Sequence, residues 1–237
     1  MRLSAPIFQL KRQAKSLCRT EGISLNLALD CIAKKEGFQN WSLLAERVSS
    51  NQSTNGLLTR LSPGDLVLLG ARPGQGKTMI GLRLIVEAIK EGRQGFFYTL
   101  EYTEKDVLKR FETIGVAPTT LSGAFELDTS NNINAAYIVD KLRSAPRGSV
   151  VVIDYLQLLD QKRQNPELSI QISELKWFAN KAGLIVVLIS QIDRSYDLSG
   201  KSLPDISDVR LPNPVDLALF NKTCFLNNGE IQFKAVA

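Results

Sequence analysis

A phosphate-binding loop constrains this chain more than any other feature of its sequence. The loop is an eight-residue stretch made of Ala71, Arg72, Pro73, Gly74, Gln75, Gly76, Lys77 and Thr78. It matches the P-loop pattern, except that alanine replaces the first glycine. An apolar run at 65–70 precedes the loop, and a helical pattern of apolar residues follows it from Ile80 to Ile89. This strand–loop–helix context separates a P-loop from a glycine-rich turn before an amphipathic helix, and predicts a nucleoside triphosphate site.

Each part of the loop has a predicted chemical role. Small residues let successive backbone N–H groups turn toward phosphate oxygens, and the first helical turn, which includes Met79, adds its positive dipole end. The Lys77 ammonium can reach the β- and γ-phosphates, and the Thr78 hydroxyl can hold Mg²⁺. We therefore expect residues 71–79 to bind ATP together with Mg²⁺.

Composition excludes several other classes of protein. The 237 residues suffice for one ordinary domain and a small appendage. No apolar stretch approaches the roughly 18 residues that a membrane span needs, and the N-terminus lacks an apolar signal core, so we expect no membrane partner and a cytoplasmic location. The chain has no histidine, which excludes histidine-based acid–base catalysis and histidine-containing zinc sites. Its three cysteines are well separated, so a disulfide framework is not expected.

The chain is predicted to contain two domains. Residues 49–56 are polar with almost nothing to bury, which is typical of a linker. We therefore predict a small helical module at 1–50, a linker at 51–58 and an ATPase domain at 59–237. Three short helices are expected in the module: one over 6–20, a second from the N-cap candidate Ser24 to Gly37, and a third from near Asn40.

The N-terminal module carries most of the positive charge. The whole chain has a net charge of +5, and 8 Lys/Arg against 4 Asp/Glu in residues 1–50 account for +4 of it. Lys11, Lys15 and Arg19 recur every four residues on the first helix, which makes them candidate contacts to nucleic-acid phosphates. The solvated face of a small helical bundle explains the same stripe, and the sequence leaves both interpretations open.

Strands and helices alternate after the linker. Continuous apolar runs, typical of parallel strands buried on both faces, occur at 66–70, 95–100, 149–154 and 184–190. Helical patterns occur at 77–91, 104–114, 132–144 and 167–182. The fold class predicted is α/β with a mostly parallel central sheet, preceded by the all-α module. Short apolar runs near the end of the chain predict an antiparallel hairpin that turns at 227–229.

Three polar residues at strand ends complete the predicted site. Asp154 follows four apolar strand residues and is the expected carboxylate that supports Mg²⁺. Glu101 follows the strand at 96–100; we expect it beside the P-loop, where it would activate the attacking water. Gln191 ends the run at 184–190, and its amide could sense the γ-phosphate, although an ordinary polar strand end would look the same.

Taken as an ordered set, these blocks resemble the RecA-like ATPase domain of bacterial replicative DNA helicases of the DnaB type. The likeness runs from residue 61 to about residue 220 and rests on the segments 61–66, 71–78, 99–101, 154–158, 190–194 and 204–210. It implies a RecA-like fold, a catalytic role for Glu101 and a sensor role for Gln191. It also implies assembly into a ring or filament of identical subunits, with single-stranded DNA as a candidate partner.

The chain also departs from the DnaB pattern. Such helicases have a flexible, glycine-containing loop that grips DNA, where this chain reads Leu211-Pro212-Asn213-Pro214, which is stiff and poor in N–H donors. They also carry a basic finger that reaches the γ-phosphate of a neighbouring subunit. The arginine expected there is missing, and Lys222 is the remaining candidate, although an ordinary surface lysine explains it equally well.

Four further basic residues are candidate nucleic-acid contacts. Lys162 and Arg163 lie in the loop at 161–165, which could face a central channel, although a solvated turn explains them equally well. Arg194 and Arg210 lie in the last two blocks of the resemblance.

Two functions are compatible with this sequence. The first is an ATP-hydrolysing, DNA-dependent motor or accessory ATPase in DNA replication or processing. The second is a nucleotide-dependent oligomeric switch or assembly protein without helicase activity, in which residues 1–50 bind a partner protein. The order of the motifs favours the first, and the missing glycine loop and arginine finger favour the second.

Overall fold

The structure is a computed structural model that describes residues 4–5, 7–44, 56–160, 162, 164–210, 213 and 215–236. The chain divides into two compact units, Met1–Ser53 with Asn227–Ile231, and Thr54–Leu226 with Gln232–Ala237. The predicted boundaries of the module, linker and ATPase domain remain predictions, since residues 45–55 lie outside the described part of the chain. Within that part, no helix has both the length and the apolar character needed to cross a bilayer.

The first unit contains the expected short helices. Helix α1 spans Ile7–Glu21 and α2 spans Leu25–Lys35. The Ser24 hydroxyl accepts a hydrogen bond from the Leu27 N–H at 3.3 Å, which confirms it as the N-cap of α2. A third helical segment begins at Trp41, whose N–H donates to Asp30 Oδ1 at 2.8 Å. The small core shared by these helices consists of Leu10, Ala14, Ala28, Ile32, Ala33 and Leu44.

The second unit has helices between strands, as the apolar pattern predicts. The strands that the structure describes are β1 (Leu66–Ala71), β2 (Gly95–Thr99), β3 (Phe125–Asp128), β4 (Val150–Asp154), β5 (Ile185–Gln191), β6 (Lys222–Asn227) and β7 (Glu230–Ala235). Its helices are α3 (Lys77–Lys90), α4 (Glu104–Thr113), α5 (Ala135–Lys141) and α6 (Leu168–Ala182). Short 3₁₀ turns connect several of these elements.

The strands form one sheet in the order β3-β2-β4-β5-β1-β6-β7. Every pairing from β3 to β6 is parallel, which confirms the predicted α/β class. The terminal hairpin is also confirmed, because β6 and β7 are neighbours joined through Asn228 and Gly229 at φ 51° and 85°, a pair of positive angles that suits a tight hairpin turn. Strand β3 was not predicted, because it is a four-residue edge strand whose residues are only partly buried.

Helix α3 packs closely over the middle of the sheet. A Cβ atom at Gly81 would lie 2.9 Å from Val152 Cγ1 on β4 and 3.2 Å from Ile189 Cδ1 on β5. A side chain at residue 81 would therefore push the helix away from the strands. This close approach brings the P-loop, which leads directly into α3, over the end of β4.

Candidate nucleotide site

The P-loop backbone has the curled shape that its sequence predicts. Gly74 and Gly76 have φ angles of 80° and 89°, and a Cβ on either residue would meet no atom within 4 Å. Glycine is therefore favoured at these positions by the positive φ angle, and not by a lack of space for a side chain. Gly76 is the N-cap of α3, so the N–H groups of the first helical turn have no partner within the helix. A curled loop that opens onto a helix N-terminus fits a polyphosphate.

Lys77 lies across this loop. Its ammonium donates to the Arg72 carbonyl at 3.3 Å. Burial lowers the pKa of Lys77, while the carboxylates of Asp154 and Glu101 act in the opposite direction. A partly desolvated ammonium interacts more strongly with phosphate than a solvated one does, and the two carboxylates favour its charged form.

Thr78 and Asp154, the two residues predicted to hold magnesium, are hydrogen-bonded to each other. The Thr78 hydroxyl donates to Asp154 Oδ2 at 2.7 Å, and the Asp154 residue is 2% exposed. A hydroxyl and a carboxylate are hard oxygen ligands of the kind that Mg²⁺ prefers, with phosphate oxygens and water supplying the rest. Among the described residues no three Cys, Asp or Glu side chains form a metal cluster.

The environment of Asp154 makes its ionisation costly. Burial raises its pKa to about 6, and the Glu101 charge adds to this rise, while the Thr78 hydrogen bond, Lys77 and Arg110 oppose it. Because the native state holds this proton more tightly than the unfolded chain, ionisation destabilises the fold as pH rises from about 4 to about 6. The loss persists above that range when no cation is bound.

We therefore expect Asp154→Asn to stabilise the protein in EDTA at pH 7.5. A rise from the ordinary value near 4 to about 6 corresponds to about 3 kcal/mol at pH 7.5, and to about half of that at pH 5. Urea unfolding at the two pH values measures the difference. Asp140→Asn is the matched control, since Asp140 is a surface residue paired with Arg143. An Asp154→Asn protein no more stable than wild type at pH 7.5 would contradict the prediction.

Glu101 approaches the P-loop from the end of β2, although β4 and β5 separate β2 from β1. Thr99 pairs with Asp154 across β2 and β4, and the Glu101 N–H donates to Thr99 Oγ1 at 3.1 Å. The Glu101 charge raises the pKa of both Lys77 and Asp154. The exposed Glu101 carboxylate is thus within electrostatic range of both groups, because α3 crosses above β4.

Gln191 lies beside the entry to the P-loop. It pairs with Ala71 in the β1–β5 register, and the next N–H, of Ile192, donates to the Ala71 carbonyl at 3.1 Å. The Gln191 carbonyl accepts from the Arg210 N–H at 2.8 Å. The end of β5 is thus hydrogen-bonded both to Ala71 of the P-loop and to Arg210. This position suits a residue that senses the γ-phosphate, and the sensor role of Gln191 remains a prediction.

Arg110 is a site residue that the sequence analysis missed. It lies on α4, where its guanidinium carbon stands 4.0 Å from the centre of the Tyr102 ring. Its positive charge helps to lower the pKa of Asp154. The one sequence feature that could have indicated Arg110 is its position nine residues after Glu101, on the helix that follows β2. That spacing alone does not show which way the side chain points.

Lys222 is held in an ion pair near the start of β1, at the end of that strand remote from the P-loop. Its ammonium lies 2.6 Å from Asp65 Oδ2 and also donates to the Arg60 carbonyl. Lys222 pairs with Val67 near the start of β1, four positions before Ala71, or about 13 Å along the strand. A role as a finger in a neighbouring subunit remains a prediction, and it would require this ion pair to open.

The other predicted basic contacts that the structure describes have exposed side chains. Lys162 is exposed and donates to Asn132 Oδ1 at 3.0 Å, while Arg163 lies outside the described residues. Exposed side chains are also found at Arg194, Arg210, Lys11, Lys15 and Arg19. Exposure is compatible with phosphate contact and equally with solvation, so these assignments remain predictions.

Comparison with known proteins finds relatives among DNA helicases. Residues 117–215 match the family described as DnaB-like helicase C terminal domain. A probable replicative DNA helicase of Guillardia theta is 26% identical over 209 residues, which cover 75% of this chain and 35% of that protein. Replicative DNA helicase DnaB of Leifsonia xyli is 26% identical over 191 residues, covering 68% of this chain and 41% of the relative. This chain is therefore similar to DnaB-like helicases over much of its length.

Solved structures show the same fold. One of them, the ATPase domain of another protein, is similar at a TM-score of 0.58 and 20% identity, covering 77% of this chain and 81% of that chain. A DnaB-like replicative helicase, described with its interactions with primase, is similar at a TM-score of 0.60 and 19% identity, covering 92% of this chain and 64% of that one. This chain spans between about a third and a half of the length of the two curated relatives described above.

Proposed function

We propose that this chain binds ATP with Mg²⁺ and hydrolyses it. The observation that carries the proposal is the convergence of Lys77, Thr78, Asp154 and Glu101 at one end of the sheet. These residues come from three separate elements of the fold, and the P-loop backbone fits a polyphosphate.

The roles follow from the chemistry of each group. Lys77 neutralises charge on the β- and γ-phosphates, which is greatest in the transition state. Thr78 and Asp154 hold Mg²⁺, which supplies further neutralisation when bound. Glu101 orients and polarises the attacking water, since an exposed carboxylate near the phosphates can accept its proton. Gln191 senses whether the γ-phosphate is present.

The ATPase is further proposed to serve DNA replication or processing, as a motor or an accessory ATPase in the cytoplasm. Support comes from the DnaB-like domain and from relatives that are named replicative DNA helicases. Assembly of identical subunits into a ring or filament would let a neighbour complete each site. Single-stranded DNA is the candidate ligand for the exposed basic residues Lys162, Arg194 and Arg210.

One observation favours a second function, a nucleotide-dependent switch without helicase activity. Lys222, the candidate finger, is paired with Asp65 in this structure and is only 18% exposed. The sequence also places proline at 212 and 214, where the helicases have a glycine-containing loop. A switch would retain ATP binding and would bind a partner protein through residues 1–50.

Steady-state ATP hydrolysis with and without single-stranded DNA tests the two functions. We expect single-stranded DNA to raise the rate severalfold, and this stimulation to weaken steeply as salt rises, because phosphate contacts release counterions. Arg194→Ala should reduce the stimulation, and Arg83→Ala, at a half-buried position on α3, is the control. Slow turnover that DNA does not change would contradict the motor and favour the switch.

A further inference from the structure

The Arg72 side chain attaches the segment that follows β5 to the P-loop. Arg72 Nε donates to Asp197 Oδ1 at 3.0 Å, and Arg72 Nη2 donates to Asp197 Oδ2 at 2.8 Å. Its third nitrogen, Nη1, donates to the Ile192 carbonyl at 3.1 Å. The planar guanidinium thus binds a carboxylate with two parallel bonds and a carbonyl with a third, a geometry that lysine cannot reproduce.

The segment that follows β5, residues 192–210, forms a closed loop and is called here the β5 loop. Its base is closed by an antiparallel bridge between Ile192 and Val209, with the Asp193 N–H donating to the Asp208 carbonyl at 2.8 Å. Within the loop, the Lys201 ammonium lies 2.9 Å from Asp205 and 3.0 Å from Asp208. The β5 loop is thus held together internally, so it can move as a unit.

Ile192 is bound to the P-loop segment in two directions. Its N–H donates to the Ala71 carbonyl, and its own carbonyl accepts from Arg72. Gln191 lies one residue earlier and pairs with Ala71. The position of Gln191 is thus tied to the P-loop both by the strand and by the side chain of Arg72.

We propose that Arg72 and Asp197 are positioning residues that hold the β5 loop, and through it Gln191, against the P-loop. The inference rests on the proposed function, because Gln191 acts only if ATP occupies the P-loop. The Arg72 side chain contributes by fixing the loop. The Asp197 side chain is 53% exposed and that of Arg72 is 20% exposed, so the pair is open to water and its effect is modest.

Asp197→Asn tests this proposal, since it keeps the shape of the side chain and removes its charge. An ion pair this exposed supports an expected change of about two- to fivefold. We expect kcat for ATP hydrolysis to fall by that factor while KM for ATP stays unchanged. We also expect backbone amides of residues 192–210 to exchange with deuterium faster by a similar factor. Higher salt should narrow both differences, because it screens the wild-type pair.

Two variants control for indirect effects. Asp197→Glu keeps the carboxylate and should restore most of the loss, whereas Asp140→Asn removes an acid from the unrelated surface pair with Arg143 and should change nothing. If loop exchange and kcat are the same in Asp197→Asn as in wild type, the proposal is overturned. If wild-type protein does not hydrolyse ATP at all, the proposed function fails, while the exchange comparison still decides whether Asp197 holds the loop.

Discussion

Lys77→Ala is expected to lower kcat for ATP hydrolysis by about 100- to 1,000-fold, as removal of a preorganised charge from a reacting centre does in other enzymes. Lys77 is held over the P-loop by the Arg72 carbonyl and lies within electrostatic range of Asp154 and Glu101. The partial burial of Lys77 increases the expected loss of activity, because a charge interacts more strongly with phosphate where water is largely excluded. A coupled assay that follows phosphate release measures the change.

The matched control is Lys90→Ala, at the exposed end of the same helix. It removes the same side chain and charge from α3 without touching the P-loop. Lys90→Ala should hydrolyse ATP at the wild-type rate. Comparable activity in Lys77→Ala and Lys90→Ala would mean that the P-loop is not where hydrolysis occurs.

Glu101→Gln is expected to lower kcat by about 100- to 10,000-fold while leaving ATP binding intact. Glutamine keeps the size and polarity of the side chain but cannot accept a proton from water. The substitution also removes a charge that raises the pKa of Asp154, so Mg²⁺–ATP affinity should stay the same or increase slightly. Single-turnover hydrolysis, together with equilibrium binding of a fluorescent ATP analogue, separates the two effects.

Glu112→Gln provides the comparison, since it removes an exposed carboxylate from the nearby helix α4. Both variants should melt at the wild-type temperature. Loss of nucleotide binding in Glu101→Gln would indicate a structural role for this residue. Unchanged hydrolysis would mean that another group acts as the general base.

Much of the fold was predictable because its signals are local. Continuous apolar runs placed β1, β2, β4 and β5 to within about one residue of their observed ends, because strands buried on both faces exclude polar residues. The edge strand β3 gave no comparable signal, because its residues are only partly buried. The stretch at 215–220 is apolar but forms a short 3₁₀ turn at Leu217–Leu219.

The sequence alone determined the P-loop conformation and the polar ends of the strands that follow it. Glycine at 74 and 76 permits the positive φ angles, and Asp154 and Gln191 stand where buried strands end, so each feature depends only on its immediate neighbours in the chain. Tertiary structure decided which of these strand ends lie next to one another. It separated β2 from β1, brought Arg110 toward Asp154, paired Lys222 with Asp65 and joined Arg72 to Asp197. Those contacts link residues far apart in sequence. They depend on strand order and helix packing, and neither of these can be predicted from local sequence pattern.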